Sequence, residues 1–143
     1  MTVRTDVRDR SLVVTIDRPE RRNAVGGPPA TALHAAFVAF DADDALDVAV
    51  LTGAEGTFCS GADLSAGGGR SRHQLAAMRH IRDVALALHD LPQPVIAKVN
   101  GVAAGAGCNL ALGCDLIVAS DRARFSEIFA KRGLSVDFGG TWL

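Results

Sequence analysis

The chain has 143 residues, 48% of them apolar and 22% charged, a balance typical of soluble globular proteins and sufficient for one sizeable core. Its net charge of −1 supplies no extended positive field, which argues against nucleic acid or an anionic membrane surface as partner. Neither the charged start Met1-Thr2-Val3-Arg4-Thr5-Asp6 nor any later segment has the apolar run of a secretory signal or a membrane span.

The first clear element is Leu12-Val13-Val14-Thr15-Ile16, rich in β-branched residues and therefore read as a strand; Asp17-Arg18-Pro19 stops it. Leu33, Ala36, Phe37 and Phe40 then recur at three- and four-residue spacing, which gathers them on one face of a helix. Asp41, Asp43, Asp44 and Asp47 form an acidic, solvated turn rather than a metal site. Val48-Ala49-Val50-Leu51-Thr52 is the next strand.

The order repeats. After Ser65-Ala66-Gly67-Gly68-Gly69-Arg70-Ser71, read as a loop with mobility as its candidate property, Leu75, Met78, Ile81, Val84 or Ala85, and Leu88 form a second helical stripe. Val95-Ile96-Ala97-Lys98-Val99 is a strand, a short helix opens near Gly105, and Asp115-Leu116-Ile117-Val118-Ala119 returns to strand, with Arg124-Phe125-Ser126 extended. Strands alternating with helices argue an α/β fold, and no linker divides residues 1–143.

Several reactive residue types carry no chemistry in this reading. Cys59, Cys108 and Cys114 are an odd number without a CxxC pair, and are read as buried apolar side chains in a reducing, cytoplasmic setting. His34, His73, His80 and His89 all fall in predicted helices and serve packing or surface roles.

Two glycine-bearing segments are the candidates for chemistry: Phe58-Cys59-Ser60-Gly61-Ala62-Asp63-Leu64 and Asn100-Gly101-Val102-Ala103-Ala104-Gly105-Ala106-Gly107-Cys108. Each follows a strand, so each can aim main-chain N–H groups at one oxygen, and the second adds the positive end of a helix dipole. The competing reading is that the glycines only permit tight turns. Dinucleotide binding is disfavoured because Leu110 occupies the third glycine slot of GxGxxG.

The segment Ile16-Asp17-Arg18-Pro19-Glu20-Arg21-Arg22-Asn23-Ala24, the Phe58–Leu64 turn and Lys98-Val99-Asn100-Gly101-Val102-Ala103-Ala104-Gly105-Ala106-Gly107 together resemble signatures of the crotonase (enoyl-CoA hydratase/isomerase) family. Cys114-Asp115 and Gly139-Gly140-Thr141 match later landmarks, so the likeness covers nearly the whole chain. It implies a spiral of ββα units and an acyl-CoA thioester as substrate, with no cofactor beyond the coenzyme A of that thioester. It also implies an oxyanion hole in which Ala62 and Ala106 supply the peptide N–H groups. By the same resemblance, residues 18–24 line the nucleotide end of the coenzyme and residues 63–70 border its pantetheine arm. Arg21, Arg22, Ala24, Gly61, Asp63, Leu64 and Gly105 are thereby assigned to substrate binding, with Arg21 and Arg22 placed to meet phosphate.

Departures from the family pattern narrow the reaction. Counting from Gly107 and Gly133, Asn109 and Phe129 stand where hydratases carry two glutamates, and neither side chain can work as a carboxylate base. Glu127, two residues from the second position, would share its face in an extended segment. Asp137 matches a carboxylate that isomerase-type members use to move a proton along the acyl chain, although Asp before Gly-Gly is also ordinary turn chemistry. The resemblance favours isomerisation over hydration. It also implies further C-terminal helices and a homotrimer or pair of trimers, so the sequence is expected to be C-terminally incomplete; the alternative role is a noncatalytic acyl-CoA-binding or assembly fragment.

Overall fold

The computed structural model describes residues 2–64 and 74–143. The glycine-rich loop of residues 65–71 and His73 lie outside them. The two β-rich runs at the N-terminus pair first. β1 (Val3–Arg8) and β2 (Ser11–Ile16) form an antiparallel hairpin in register Val3 to Ile16, turning at Asp9 with a positive φ of 53°. β1 escaped the sequence reading because only Val3 of its six residues is buried, leaving no apolar alternation to detect.

From β2 onward each main strand joins the sheet in parallel. β3 (Val48–Gly53), β4 (Val95–Val99) and β6 (Leu116–Ala119) add in turn, giving the order β1-β2-β3-β4-β6. Parallel neighbours need a crossover, and α1 (Pro28–Asp41) and α2 (Gln74–His89) provide the first two. Leu12, Val14 and Ile16 of β2 alternate inward, as do Ala49 and Leu51 of β3 and Val95, Ala97 and Val99 of β4. Against these strands α1 packs Leu33, Phe37 and Phe40, each contributing roughly 1.5–3 kcal/mol by leaving water.

The chain does not pass directly from strand to helix. Between them it makes a short second-layer segment: Val25 bridges Ala62, Cys59 bridges Ala103, and β5 (Val102–Ala104) pairs in parallel with β7 (Arg124–Ser126). Each turn therefore consists of a sheet strand, a short second-layer strand and a helix, the last complete one being α3 (Ala106–Leu112). This is the ββα spiral the sequence implied.

Two stretches behave differently from their patterning. Val84, Ala85 and Leu88 of α2 are buried, but Leu75 and Met78 at its start are exposed. β6 is apolar yet exposed along its whole length, because it is the outer strand of the sheet.

Candidate active site

The turn after β3 is held from below by one amide side chain. Asn23 is fully buried; its Oδ1 accepts from the Arg18 N–H at 2.8 Å, and its Nδ2 donates to the carbonyls of Ala54 at 2.9 Å and Thr57 at 2.7 Å. Both Arg22 and Asn23 have left-handed backbone, which lets the loop double back after the single 3-10 turn Pro19–Arg21. The loop is then strapped to the next unit: Val25 N–H donates to Gly61 O, Asp63 N–H to Val25 O and Ser60 N–H to Arg22 O. Arg18 closes the strap, its Nη1 donating to Ala24 O at 2.9 Å and pairing with Asp63 Oδ2 at 3.0 Å, both side chains largely shielded from solvent.

In a parallel ladder the residue between two such bonds points its own N–H away from the partner. Ala62 occupies that place, and its amide donates to no acceptor among the described residues. The other side of the turn faces the start of α3. Gly61 has φ of 102°, and a Cβ there would lie 2.7 Å from Ala104 O and 3.7 Å from Ala106 N. Only glycine fits this approach.

Ala106 is the first residue of α3, so its N–H has no partner within the helix. The preceding amide of Gly105 is engaged with Ser126 O, and those of Cys108 and Asn109 return to Gly105 O, leaving Ala106 N–H without an acceptor among the described residues. With only seven residues, α3 adds little dipole, so the directed peptide groups matter more than the helix field assumed from sequence. Ala62 and Ala106 line one cavity of about 130 Å³, together with Gly61, Leu64, Gly105, Phe129 and Asp137.

Asp137 is brought to this cavity by the side chain that replaces an expected acid. Asn109, on α3 and almost fully buried, donates from Nδ2 to the main-chain oxygen of Asp137 at 2.8 Å. A Cβ on Gly140 would collide with this same amide and with Val136, so Gly140 keeps room for the clamp. The Asp137 carboxyl keeps its Oδ1 buried without a hydrogen-bond partner among the described residues. Burial, aided by the negative charge of Glu127, raises its pKa above the ordinary aspartate value. Phe129 is buried and forms an apolar wall of the cavity, its ring edge beside Gly105.

The remaining sequence candidates divide. Ala24 is buried in the strap, whereas Arg21, Arg22 and Leu64 are exposed. Glu127 is itself exposed but close enough to influence Asp137 and Cys108. Burial pushes the thiols of Cys59 and Cys114 up to about 12 and that of Cys108, with help from Glu127, to about 11, so all three stay protonated at neutral pH. Asp47 of the acidic turn pairs with Arg10. Sequence reading passed over the strapping role of Arg18 and the clamping role of Asn109; an arginine before proline and an asparagine in a helix carry no signal of a partner that lies far along the chain.

Three comparisons bear on this geometry. The family model described as enoyl-CoA hydratase/isomerase matches residues 8–143. A probable enoyl-CoA hydratase of Rhodobacter capsulatus is 39% identical over 142 residues, covering 99% of this chain and 54% of the relative. The 1,2-epoxyphenylacetyl-CoA isomerase of Escherichia coli is also 39% identical, covering 92% of this chain and 52% of the relative. A crystal structure of a putative enoyl-CoA hydratase from Streptomyces coelicolor superposes with a TM-score of 0.91 at 33% identity, covering all of this chain and 54% of that one. The chain thus spans about half the length of the curated relatives it matches.

Proposed function

Starting from the fact that the chain belongs to the enoyl-CoA hydratase/isomerase family, we propose that it binds an acyl-CoA thioester and moves a proton along the acyl chain. The amides of Ala62 and Ala106 receive the thioester oxygen, and Asp137 is the base. The observation that carries this is that Ala62 and Ala106, whose peptide N–H groups have no acceptor among the described residues, line one cavity together with Asp137.

Removing a proton next to the thioester carbonyl places negative charge on its oxygen. Two fixed N–H donors stabilise that charge without solvent reorganisation, and loss of one such donor typically costs about 2.7–4 kcal/mol. The Asp137 carboxylate takes the proton from one carbon and returns it to another; a raised pKa brings its basicity closer to the working pH. Water addition requires a second acid/base group, and the two places where one was expected hold Asn109, committed to a backbone clamp, and the apolar Phe129. Isomerisation is therefore favoured over hydration. By name the E. coli relative is an isomerase and the R. capsulatus relative a probable hydratase, so the preference here rests on the side chains at 109, 129 and 137.

Residues 18–24 and 63–64 serve coenzyme binding in this reading, with Arg21 and Arg22 exposed and open to phosphate. A cytoplasmic location and a trimeric or paired-trimer assembly belong to the same proposal, and the exposed apolar strand β6 is a surface available for assembly. No helix of the described residues is long and apolar enough to cross a membrane.

The test is solvent deuterium exchange into an enoyl-CoA, followed together with double-bond migration and water addition, in the parent and in Asp137→Asn. Loss of exchange and migration in the variant with acyl-CoA binding intact is the expected result. Undiminished exchange removes Asp137 from the mechanism, efficient hydration by the parent assigns the missing role to Glu127 or another group, and binding without any exchange favours the noncatalytic alternative.

A further inference from the structure

Val25 and Ala62 meet in an isolated bridge rather than in a rung of a longer ladder. The direction of the Ala62 N–H is therefore set by whatever fixes the residues that flank this bridge. One side chain reaches both flanks. Arg18 Nη1 donates to Ala24 O, just before Val25, at 2.9 Å, and pairs with Asp63 Oδ2, just after Ala62, at 3.0 Å. The root of that side chain is itself fixed: the Arg18 N–H donates to Oδ1 of the fully buried Asn23, and the Arg18 carbonyl accepts from the amides of Arg21 and Asn23. The Arg18 and Asp63 side chains are 16% and 10% exposed, so water competes little for these bonds.

We propose that Arg18 is a positioning residue for the Ala62 amide: its guanidinium ties the two segments across the bridge and so holds that N–H on the oxygen that Ala106 also serves. The inference rests on the reading of Ala62 and Ala106 as the thioester cradle. A planar fork can serve a carbonyl and a carboxylate at once, which the single point charge of a lysine does not reproduce. With Asp63 beside it the cation is matched by a negative neighbour, so it acts through geometry and not as a free charge aimed at the substrate. Glu20, 3.8 Å from Nε and 66% exposed, adds little to the tie. Within the segment assigned to the coenzyme, Arg18 thus has a different task from Arg21 and Arg22, which are exposed.

Three readouts separate positioning from a merely structural role. Calorimetry with butanoyl-CoA and with free coenzyme A gives thioester recognition as a ratio of affinities. The infrared band of bound butanoyl-CoA, isotope-labelled at the carbonyl carbon, reports how strongly the two amides polarise it. Deuterium exchange into but-2-enoyl-CoA gives kcat and KM. A misplacement of about 1 Å can cost about a hundredfold in rate, so in Arg18→Met kcat should fall about 10–100-fold with KM little changed. The carbonyl shift to lower frequency should shrink and the affinity ratio should fall towards one, while coenzyme A binds as before. Arg18→Lys keeps the charge opposite Asp63 and with it the thermal transition, and should recover only part of the shift and of kcat; if Arg18→Met does not fold, Arg18→Lys decides alone. A parent-like band and affinity ratio in the variants would overturn the positioning role and leave the cradle standing. Equal losses of coenzyme A and butanoyl-CoA affinity would overturn it too, making Arg18 a coenzyme contact, and full recovery in Arg18→Lys would overturn the fork. Absence of any carbonyl shift or butanoyl-CoA preference in the parent defeats the cradle and this inference together.

Discussion

Replacing Gly61 by alanine tests the geometry on which the two amides depend. The new methyl group enters a backbone of φ 102° and lies 2.7 Å from Ala104 O, well inside ordinary contact. Left-handed backbone costs a non-glycine residue about 1–2 kcal/mol. Relieving the collision adds about 1–3 kcal/mol, as overpacking usually does, since Ala104 cannot simply withdraw: its N–H is bonded to Cys59 O at 2.9 Å and the next amide to Ser126 O. The stability loss should be about 2–5 kcal/mol in denaturant titration. Gly56→Ala is the control, because Gly56 has φ of 72° but nothing within 4 Å of its would-be Cβ; it should lose only the backbone part. Separation of the Ala62 and Ala106 amides should also slow proton exchange into an enoyl-CoA at least tenfold, given the roughly 2.7–4 kcal/mol that one full donor supplies. If Gly61→Ala is no less stable than Gly56→Ala and retains exchange, the two segments are not in the contact described and the shared oxygen site falls with it.

Ala106→Pro deletes one N–H at a helix position where proline is well tolerated, so preference for acyl-CoA over coenzyme A should disappear in binding assays while the thermal transition stays within a few degrees. Asn23→Ala orphans the Arg18 amide and two carbonyls in the interior and places alanine at φ 56°, for a loss of about 3–4 kcal/mol by chemical denaturation; Asn23→Gly should recover about 1 kcal/mol of it. Glu127→Gln removes a negative charge that raises the Asp137 pKa, so the acid limb of the exchange rate against pH should move to lower pH, though burial keeps it above the ordinary aspartate range. The stability sign is the reverse of a paired carboxylate: Asp137 holds its proton more tightly when folded, so its ionisation subtracts stability as pH rises from the ordinary value through the raised one, and Glu127→Gln should lessen that fall.

The architecture was legible wherever burial follows one face. Leu33, Ala36, Phe37 and Phe40 all went to the core because the sheet covers that face of α1. β1 was illegible for the converse reason: its pairing with β2 runs through backbone groups, and its outward residues Arg4, Thr5 and Asp6 carry no apolar rhythm. The second-layer bridges at Val25, Cys59 and Ala62 are single-residue pairings, too short for any periodicity. The α2 stripe was read correctly as a helix, but only Val84, Ala85 and Leu88 of it enter the core, since hydrophobicity says that a face avoids water but not which surface receives it.

The site shows the same division between what a residue type declares and what its neighbours make of it. Glycine at 61 was readable because a close backbone approach excludes other residues, whereas the amides at 62 and 106 were singled out only by the family resemblance. Asn109 was readable only as a missing acid. In three dimensions its buried amide donates an N–H to the Asp137 carbonyl, fixing the loop that carries Asp137. Restoring a glutamate at 109 would therefore not restore a second base to an otherwise unchanged site. It would bring an acceptor to a carbonyl oxygen, breaking the hydrogen bond and placing negative charge beside a carboxylate whose ionisation is already opposed by burial and by Glu127. The asparagine and the aspartate are thus one structural unit: the side chain at 109 fixes the backbone that carries Asp137, while burial and Glu127 set the carboxyl's raised pKa.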